Sequence, residues 1–265
     1  MSTEMHSLSK EEILFFKTNG YLIKRDVLDP ELMARARDKL WEGAPSGMKR
    51  DEPSTWIGPF KEEQVSEETS NVRKGFGWNY REPGGLDWMI RLLATDPSVW
   101  HMVEQMLGEG QLQTPDRIRG IYCAMPRDDT SPKPYGCHVD AHPFHLGVVG
   151  YIDYVAPDGG GFNVWPGSHK KFYYDNHSQY ANEPTEEYAK DRDIVNKLPR
   201  VDCHGGPGDI VFWHHRIGHS QGINLTRQIR KAVLYDFRKL DLDETQKEPP
   251  CSDMWRDWSQ AVRDA

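Results

Sequence analysis

Residues 136–145 read GCHVDAHPFH and carry His138, Asp140, His142 and His145. Imidazole nitrogens and carboxylate oxygens are the donors that divalent metals take in catalytic sites. On a strand, side chains alternate between faces. His138 and Asp140 therefore project together, while Val139 points the other way and His145 has the opposite parity. His142 shares the face only if the strand runs on, and Pro143 argues that it ends there. H-x-D alone is a short pattern, and its ordinary reading is a histidine hydrogen-bonded to an aspartate. A metal needs a third ligand from elsewhere. His169, His177, His204, His214, His215 and His219 lie downstream. The informative stretch is GPGDIVFWHHRIGHSQGIN, where an apolar strand at 210–213 leads into His214, His215 and His219. One of these with His138 and Asp140 makes two histidines and one carboxylate. That set leaves coordination positions open and suits non-haem Fe(II) in O2 chemistry. Spacing does not choose among the three.

Two regions must supply the elements that position these residues. The first, about 8–108, has mainly helical patterns. Ser9 and Glu12 form a capping box ahead of EEILFFK. YLIKRDV reads as a short strand, and Asp29, Pro30 and Gly43 bracket a second helix. Residues 44–86 have the polar, Pro- and Gly-rich composition of a long loop, with Trp78, Tyr80 and Arg81 gathered in KGFGWNYREPGG. GLDWMIRLLATDPSVWHMVEQMLG reads as two helices split at Asp96 and Pro97. Over about 111–240, short runs rich in Val, Ile, Tyr and Phe alternate with Gly, Pro and Asp turns, as in an all-β sandwich or barrel. A polar insertion at 172–200 interrupts them, with a helix expected after Pro184. The tail, about 252–263, reads as a helix with Met254, Trp255, Trp258 and Val262 on one face. No linker or repeat is visible, so 1–265 reads as a single domain.

The formal net charge is −8. That argues against nucleic-acid and anionic-membrane partners, which need a cationic face, and leaves a small molecule as the expected partner. Cys123, Cys137, Cys203 and Cys251 form no C-x-x-C pair and do not read as a disulfide framework. The apolar run at 13–16 is too short for a signal-peptide core, and no run approaches the roughly 20 apolar residues of a membrane span. A cytoplasmic location is the expectation. Nothing in the sequence sets the oligomeric state.

HVD, then DGGGFNVWPGSHK, then GPGDIVFWHHRIGHSQGINLTRQIRKA resemble the phytanoyl-CoA dioxygenase family, and FFKTNGYLIKRDVLDPELM is similar to its usual opening. The resemblance implies a double-stranded β-helix (a jelly roll, cupin-like barrel), mainly β, with N-terminal helices packed on it. It implies Fe(II), with 2-oxoglutarate and O2 as cosubstrates. It carries His138, Asp140 and His219 over as catalytic metal ligands. His219, Asn224 and Arg230 match the family's spacing, which implies that Arg230 pairs with the distal carboxylate of 2-oxoglutarate. Phe144 and Gln221 are implied neighbours of the cosubstrate, although Gln221 stands where Ser is frequent. Gly160 and residues 166–170 match the glycine and PGSHK blocks, with Gly159 in place of the usual Asn. An intact Asp140 favours oxidation without halide.

The implied reaction hydroxylates an unactivated C–H bond of a small metabolite or natural-product intermediate, releasing succinate and CO2. Trp78 and Tyr80, outside the motif blocks, are expected on a lid over substrate. Two rival readings stand beside this one. A cupin-like metalloenzyme without 2-oxoglutarate would have no use for Arg230. A zinc-stabilised binding module would draw on Cys137, His138, Cys203 and His204. His142, His145, His214 and His215 are read as structural or supporting residues.

Overall fold

The computed structural model describes residues 5–129 and 132–265. The chain opens with α1 (Lys10–Asn19), whose capping box forms as expected. The Ser9 hydroxyl accepts from the Glu12 amide at 3.2 Å, and the Glu12 carboxylate accepts from the Ser9 amide at 2.8 Å. Then follow β1 (Tyr21–Lys24), α2 (Pro30–Glu42), β2 (Asn71–Lys74), β3 (Gly77–Tyr80), α3 (Asp87–Leu93), α4 (Pro97–Leu107) and β4 (Ile121–Ala124). The second half carries β5 (Leu146–Tyr151), β6 (Phe162–Val164), α5 (Ser168–Phe172), α6 (Glu187–Val195), β7 (Val201–Cys203), β8 (Ile210–His214) and β9 (His219–Gln221). It ends with β10 (Arg230–Phe237), α7 (Leu242–Thr245) and α8 (Gln260–Asp264).

The strands form two antiparallel sheets. The larger has seven strands in the order β1-β8-β5-β10-β4-β3-β2, and the smaller has three in the order β7-β6-β9. Strand alternation divides the apolar side chains between two cores. On β10, Ala232 and Leu234 face the smaller sheet and share a core with Val149, Tyr151, Val211 and Trp213 from one sheet and Phe162 and Val164 from the other. Val233 and Phe237 face the opposite way, into a core shared with Phe16, Leu93 and Met102 of the helices. The helices cover one side of the large sheet, and the small sheet covers its other side.

Three expectations need correction. Residues 8–108 hold more strand than the expected β1, because β2 and β3 also join the large sheet. The long loop at 44–86 contains the β2–β3 hairpin, turned at Gly75 with φ 57°. Gly and Pro around GWNY hide its period of two in the sequence. The tail helix expected at 252–263 is confined to α8, and turns precede it. Its aromatic face is nevertheless buried, through Met254, Trp255, Trp258 and Val262. The insertion carries a helix after Pro184, α6.

Four histidines pack inside this frame away from the H-x-D segment's front. His214 stacks on Trp258 with ring centroids 5.3 Å apart, and its ring also neighbours His169 and His215. His145 lies 4.2 Å from the Tyr180 ring and accepts a hydrogen bond from the Lys239 amide at 3.2 Å. Burial pushes His145 and His169 down to about 3, and pushes His214 and His215 well below the ordinary imidazole value. All four fold as neutral rings.

The linkage sign follows from those directions. Unfolded imidazoles take up protons below about pH 6.5, whereas the folded rings stay neutral far below that. Stability is full above pH 6.5 and is lost as pH falls toward 3. At pH 5.5 each buried ring should cost about 1.4 kcal/mol. Urea unfolding of metal-free protein should show a midpoint well below the pH 7.5 value at pH 5.5. Equal midpoints at the two pH values would mean these rings are protonated in the fold.

Candidate metal centre

His138 and His219 meet across an isolated antiparallel bridge. Each backbone amide donates to the other's carbonyl, both at 3.0 Å. Residues directly opposite each other on antiparallel strands project to the same side, so the two imidazoles face together, with ring centroids 4.5 Å apart. Both chain segments are pinned just before the ligand position. The Cys137 amide donates to Asn196 Oδ1 at 2.7 Å, immediately after α6. The Gly218 amide donates to Ser168 Oγ at 2.8 Å, and Ser168 Oγ donates to the Trp165 carbonyl at 2.6 Å. The PGSHK block thus acts on the site through backbone placement. His169 Nε2 within it contacts the Lys17 carbonyl at 3.2 Å, far from any ligand role.

Ligand atoms of His138, Asp140 and His219 lie within 4.8 Å of one another. His219 is buried and its ring stacks on Phe162 at 5.2 Å. Its Nδ1 lies 3.0 Å from the Ile217 carbonyl. A carbonyl can only accept, so Nδ1 carries the proton and Nε2 keeps its lone pair for a metal. His138 keeps an exposed ring. Its surroundings still depress the imidazole to about 4, first through desolvation and next through His219, which favours the neutral ring of His138 at pH 7. Burial alone would raise Asp140, but His219 and Arg119 hold its carboxyl below the ordinary carboxylate range. A divalent metal requires its carboxylate ligand ionised, which is the form these neighbours favour in Asp140.

Sequence reasoning missed the pair that lies behind Asp140. Arg119 forms a two-point pair with Asp236, Nε to Oδ2 at 2.6 Å and a terminal nitrogen to Oδ1 at 2.8 Å. The same terminal nitrogen reaches Asp140 Oδ2 at 3.2 Å and His142 Nε2 at 3.0 Å. His142 Nε2 in turn lies 2.9 Å from Asp236 Oδ2. Asp140, His142 and Asp236 are close enough to form a second metal cluster, but the Arg119 guanidinium already supplies the cation among them. Asp236 shares a face of β10 with Arg230, Ala232 and Leu234. That parity was available in RKAVLYDF, whereas Arg119 precedes the bend at Gly120, φ 101°, which breaks the strand pattern.

Arg230 is 7% exposed at the start of β10. Its Nε donates to the Gly160 carbonyl at 2.8 Å and one terminal nitrogen to the Tyr122 carbonyl at 3.0 Å. Gly160 has φ 81°, and a Cβ there would stand 2.8 Å from the Ala124 Cβ. Only glycine brings that carbonyl onto the guanidinium without strain. Asn224 ties the preceding loop, donating to the Ala124 and Gln228 carbonyls at 2.8 and 2.7 Å. Phe144 is buried, stacking on His142 at 5.2 Å. Gln221 lies two residues beyond His219 on β9 and shares its face.

Trp78 and Tyr80 lie elsewhere. Trp78 is 0% exposed, and both rings pack in the core beneath the helices. Their register opposite Cys123 and Ile121 turns them from the face of Tyr122. The segment expected as a lid is a strand within the large sheet. Cys137 and Cys203 also fall in separate apolar clusters. Among the described residues, neither group able to hold a metal includes a cysteine, so the zinc-module reading finds no support.

A family model described as Phytanoyl-CoA dioxygenase (PhyH) matches residues 16–232. A Caenorhabditis elegans protein described as a probable phytanoyl-CoA dioxygenase is 21% identical over 244 residues, covering 89% of this chain and 77% of that protein. SnoK, a non-heme alpha-ketoglutarate-dependent carbocyclase from nogalamycin biosynthesis, superposes with a TM-score of 0.57 at 17% identity, covering 93% of this chain and 95% of SnoK. EctD from S. alaskensis with bound Fe gives a TM-score of 0.57 at 16% identity, covering 92% of this chain and 83% of EctD. At such identities the two structures speak for the fold alone.

The Arg119 network yields a prediction. Asp236 balances the guanidinium, so in Asp236→Asn the full charge of Arg119 turns on Asp140 and competes with a bound cation. Fe(II) affinity should fall roughly 10–100-fold, as for other partners of metal ligands. Adding Arg119→Gln should restore part of it. Unchanged Fe(II) titrations in Asp236→Asn would reduce the network to a structural brace.

Proposed function

This chain belongs to the phytanoyl-CoA dioxygenase family, and from that premise we propose that it hydroxylates an unactivated C–H bond of a small-molecule metabolite or natural-product intermediate, releasing succinate and CO2. The family uses Fe(II), 2-oxoglutarate and O2. The two facing sheets are read as the walls of a double-stranded β-helix, with the whole chain as one domain. The observation that carries the proposal is the convergence of His138, Asp140 and His219 within 4.8 Å, from segments far apart in sequence.

Each residue has a definite task in this reading. His138 and His219 hold Fe(II) through neutral imidazole nitrogens, and Asp140 holds it through an ionised carboxylate. When bound, Fe(II) with O2 and 2-oxoglutarate supplies oxidising chemistry that side chains lack. Arg230 binds the distal carboxylate of 2-oxoglutarate, since its planar fork suits a carboxylate and its charge is walled from water. Burial lowers its pKa, yet a guanidinium stays protonated at neutral pH. The two backbone carbonyls fix its orientation before the cosubstrate arrives. Phe144 and Gln221 flank the same space, and Phe162 and Trp213 keep water from the buried side of His219. The acidic charge and unpaired cysteines favour a cytoplasmic setting.

Two sets of variants test this. His138→Ala, Asp140→Ala and His219→Ala should each abolish iron retention and turnover. Full activity in any one of them removes that residue from the ligand set. Arg230→Ala should keep iron but weaken 2-oxoglutarate by roughly 30-fold or more, from about 2–5 kcal/mol for a buried charge-assisted pair. Anaerobic titration of the Fe(II)–2-oxoglutarate absorption band reads this directly, and an unchanged affinity would place the anchor elsewhere.

A further inference from the structure

A cavity of about 830 Å³ opens beside the metal-ligand cluster. It adjoins Asp140 through Arg119, His142 and Asp236, which line its inner end. Its volume lies within the range of small-molecule sites, about 300–1,000 Å³, but its walls differ from their usual apolar lining. Ile118 is the one aliphatic side chain among its lining residues. Thr69, Ser70, Thr114, Tyr122 and Tyr235 offer hydroxyls, and Gln113 offers an amide.

The charges are arranged unevenly. Arg81, Arg117 and Arg238 line the cavity in addition to Arg119. Arg119 is matched by Asp236. Arg81 donates to the Tyr122 hydroxyl at 3.1 Å, and Arg117 donates to the Arg81 carbonyl at 3.2 Å. Among the described residues, none of the three is ion-paired with a carboxylate. Glu82 and Asp116 also line the wall. Three guanidiniums without a carboxylate partner thus face two carboxylates, an excess of one positive charge outside the Arg119 pair, in a chain of net charge −8. Arg117 and Arg238 are exposed, as are Glu82 and Asp116, so the cavity reaches solvent through a rim of both charges.

Resting on the oxygenase reading above, we propose that this cavity selects a polyhydroxylated small molecule bearing an oxyanion, a carboxylate or a phosphate. Arg117 and Arg238 take the oxyanion at the rim, and the hydroxyl-lined wall takes the polar body. The C–H bond to be oxidised then lies at the inner end beside Asp140. Guanidiniums bind both oxyanions in a planar, two-point manner. A long acyl chain finds only Ile118 and the Tyr122 and Tyr235 rings as apolar side chains here.

The test uses the full-length protein loaded with Fe(II) and 2-oxoglutarate and held without O2. The Fe(II)–2-oxoglutarate absorption band is recorded first, and its absence overturns the oxygenase reading itself. With the band present, equilibrium dialysis compares gluconate, glucose 6-phosphate, glucose and decanoate. At least one of the two hydroxylated anions should bind tenfold or more tighter than glucose and than decanoate. Their relative affinity identifies the oxyanion as carboxylate or phosphate. The double variant Arg117→Gln, Arg238→Gln should retain the band and lose at least tenfold in affinity for the preferred anion. The inference is overturned if neither anion outranks glucose, if decanoate binds as tightly, or if the double variant binds the anion unchanged.

Discussion

Two backbone hydrogen bonds between His138 and His219 hold the site together. His138 lies in no named strand and His219 opens the three-residue β9, so a single bridge joins them. Imidazole direction therefore depends on backbone groups, and the backbone depends on what pins it. Asn196 after α6 fixes one side, while Ser168 of α5 and Trp165 fix the other. The polar insertion, which has no strand of its own, supplies the first of these pins. A site made of two short segments is rigid here because three elements outside it fill their hydrogen-bonding capacity on it.

Charge is balanced around this bridge at short range. The chain faces the Asp140 carboxylate with a guanidinium, an arrangement that would oppose a bound cation if the guanidinium were free. Asp236 takes two of its hydrogen bonds and resolves the conflict. Asp140 is thus kept ionised and aimed without losing its negative charge to an uncompensated partner. The histidines separate on the same physical ground. His138 and His219 keep a ring nitrogen toward the carboxylate and the open side. His145, His169, His214 and His215 are surrounded by aromatic rings and backbone carbonyls and act as core residues.

The inner face of β10 joins the functions. Arg230 stands at its start and Asp236 near its end, with Ala232 and Leu234 between them. The spacing of six residues corresponds to about 20 Å along a strand. One strand thus orients the buried Arg230 guanidinium and the carboxylate partner of Arg119, on a face shared with the core between the sheets. Its other face is sealed by helices, so both groups are held by packing on two sides.

The sequence by itself determined the H-x-D pair, the histidine at the end of an apolar strand, and the spacing from His219 to Arg230. These are local matters, fixed by strand alternation and by motif order along the chain. It also determined α1, α2 and the buried tail aromatics, because capping residues and apolar spacing act over a few positions. Strand spacing left His214, His215 and His219 open and the family resemblance pointed to His219; tertiary structure brings His219 to His138, and not His214 or His215. Those two have the same residue type and a nearby position, but the strand delivers them into an aromatic core. It alone decided that Arg119 and Asp236 pair, since a partner more than a hundred residues away leaves no local trace. It turned Trp78 and Tyr80 from an expected lid into core residues, because the side of a strand that meets solvent depends on what packs against it. Short-range pattern fixes which groups a chain can offer, and long-range packing fixes which of them meet.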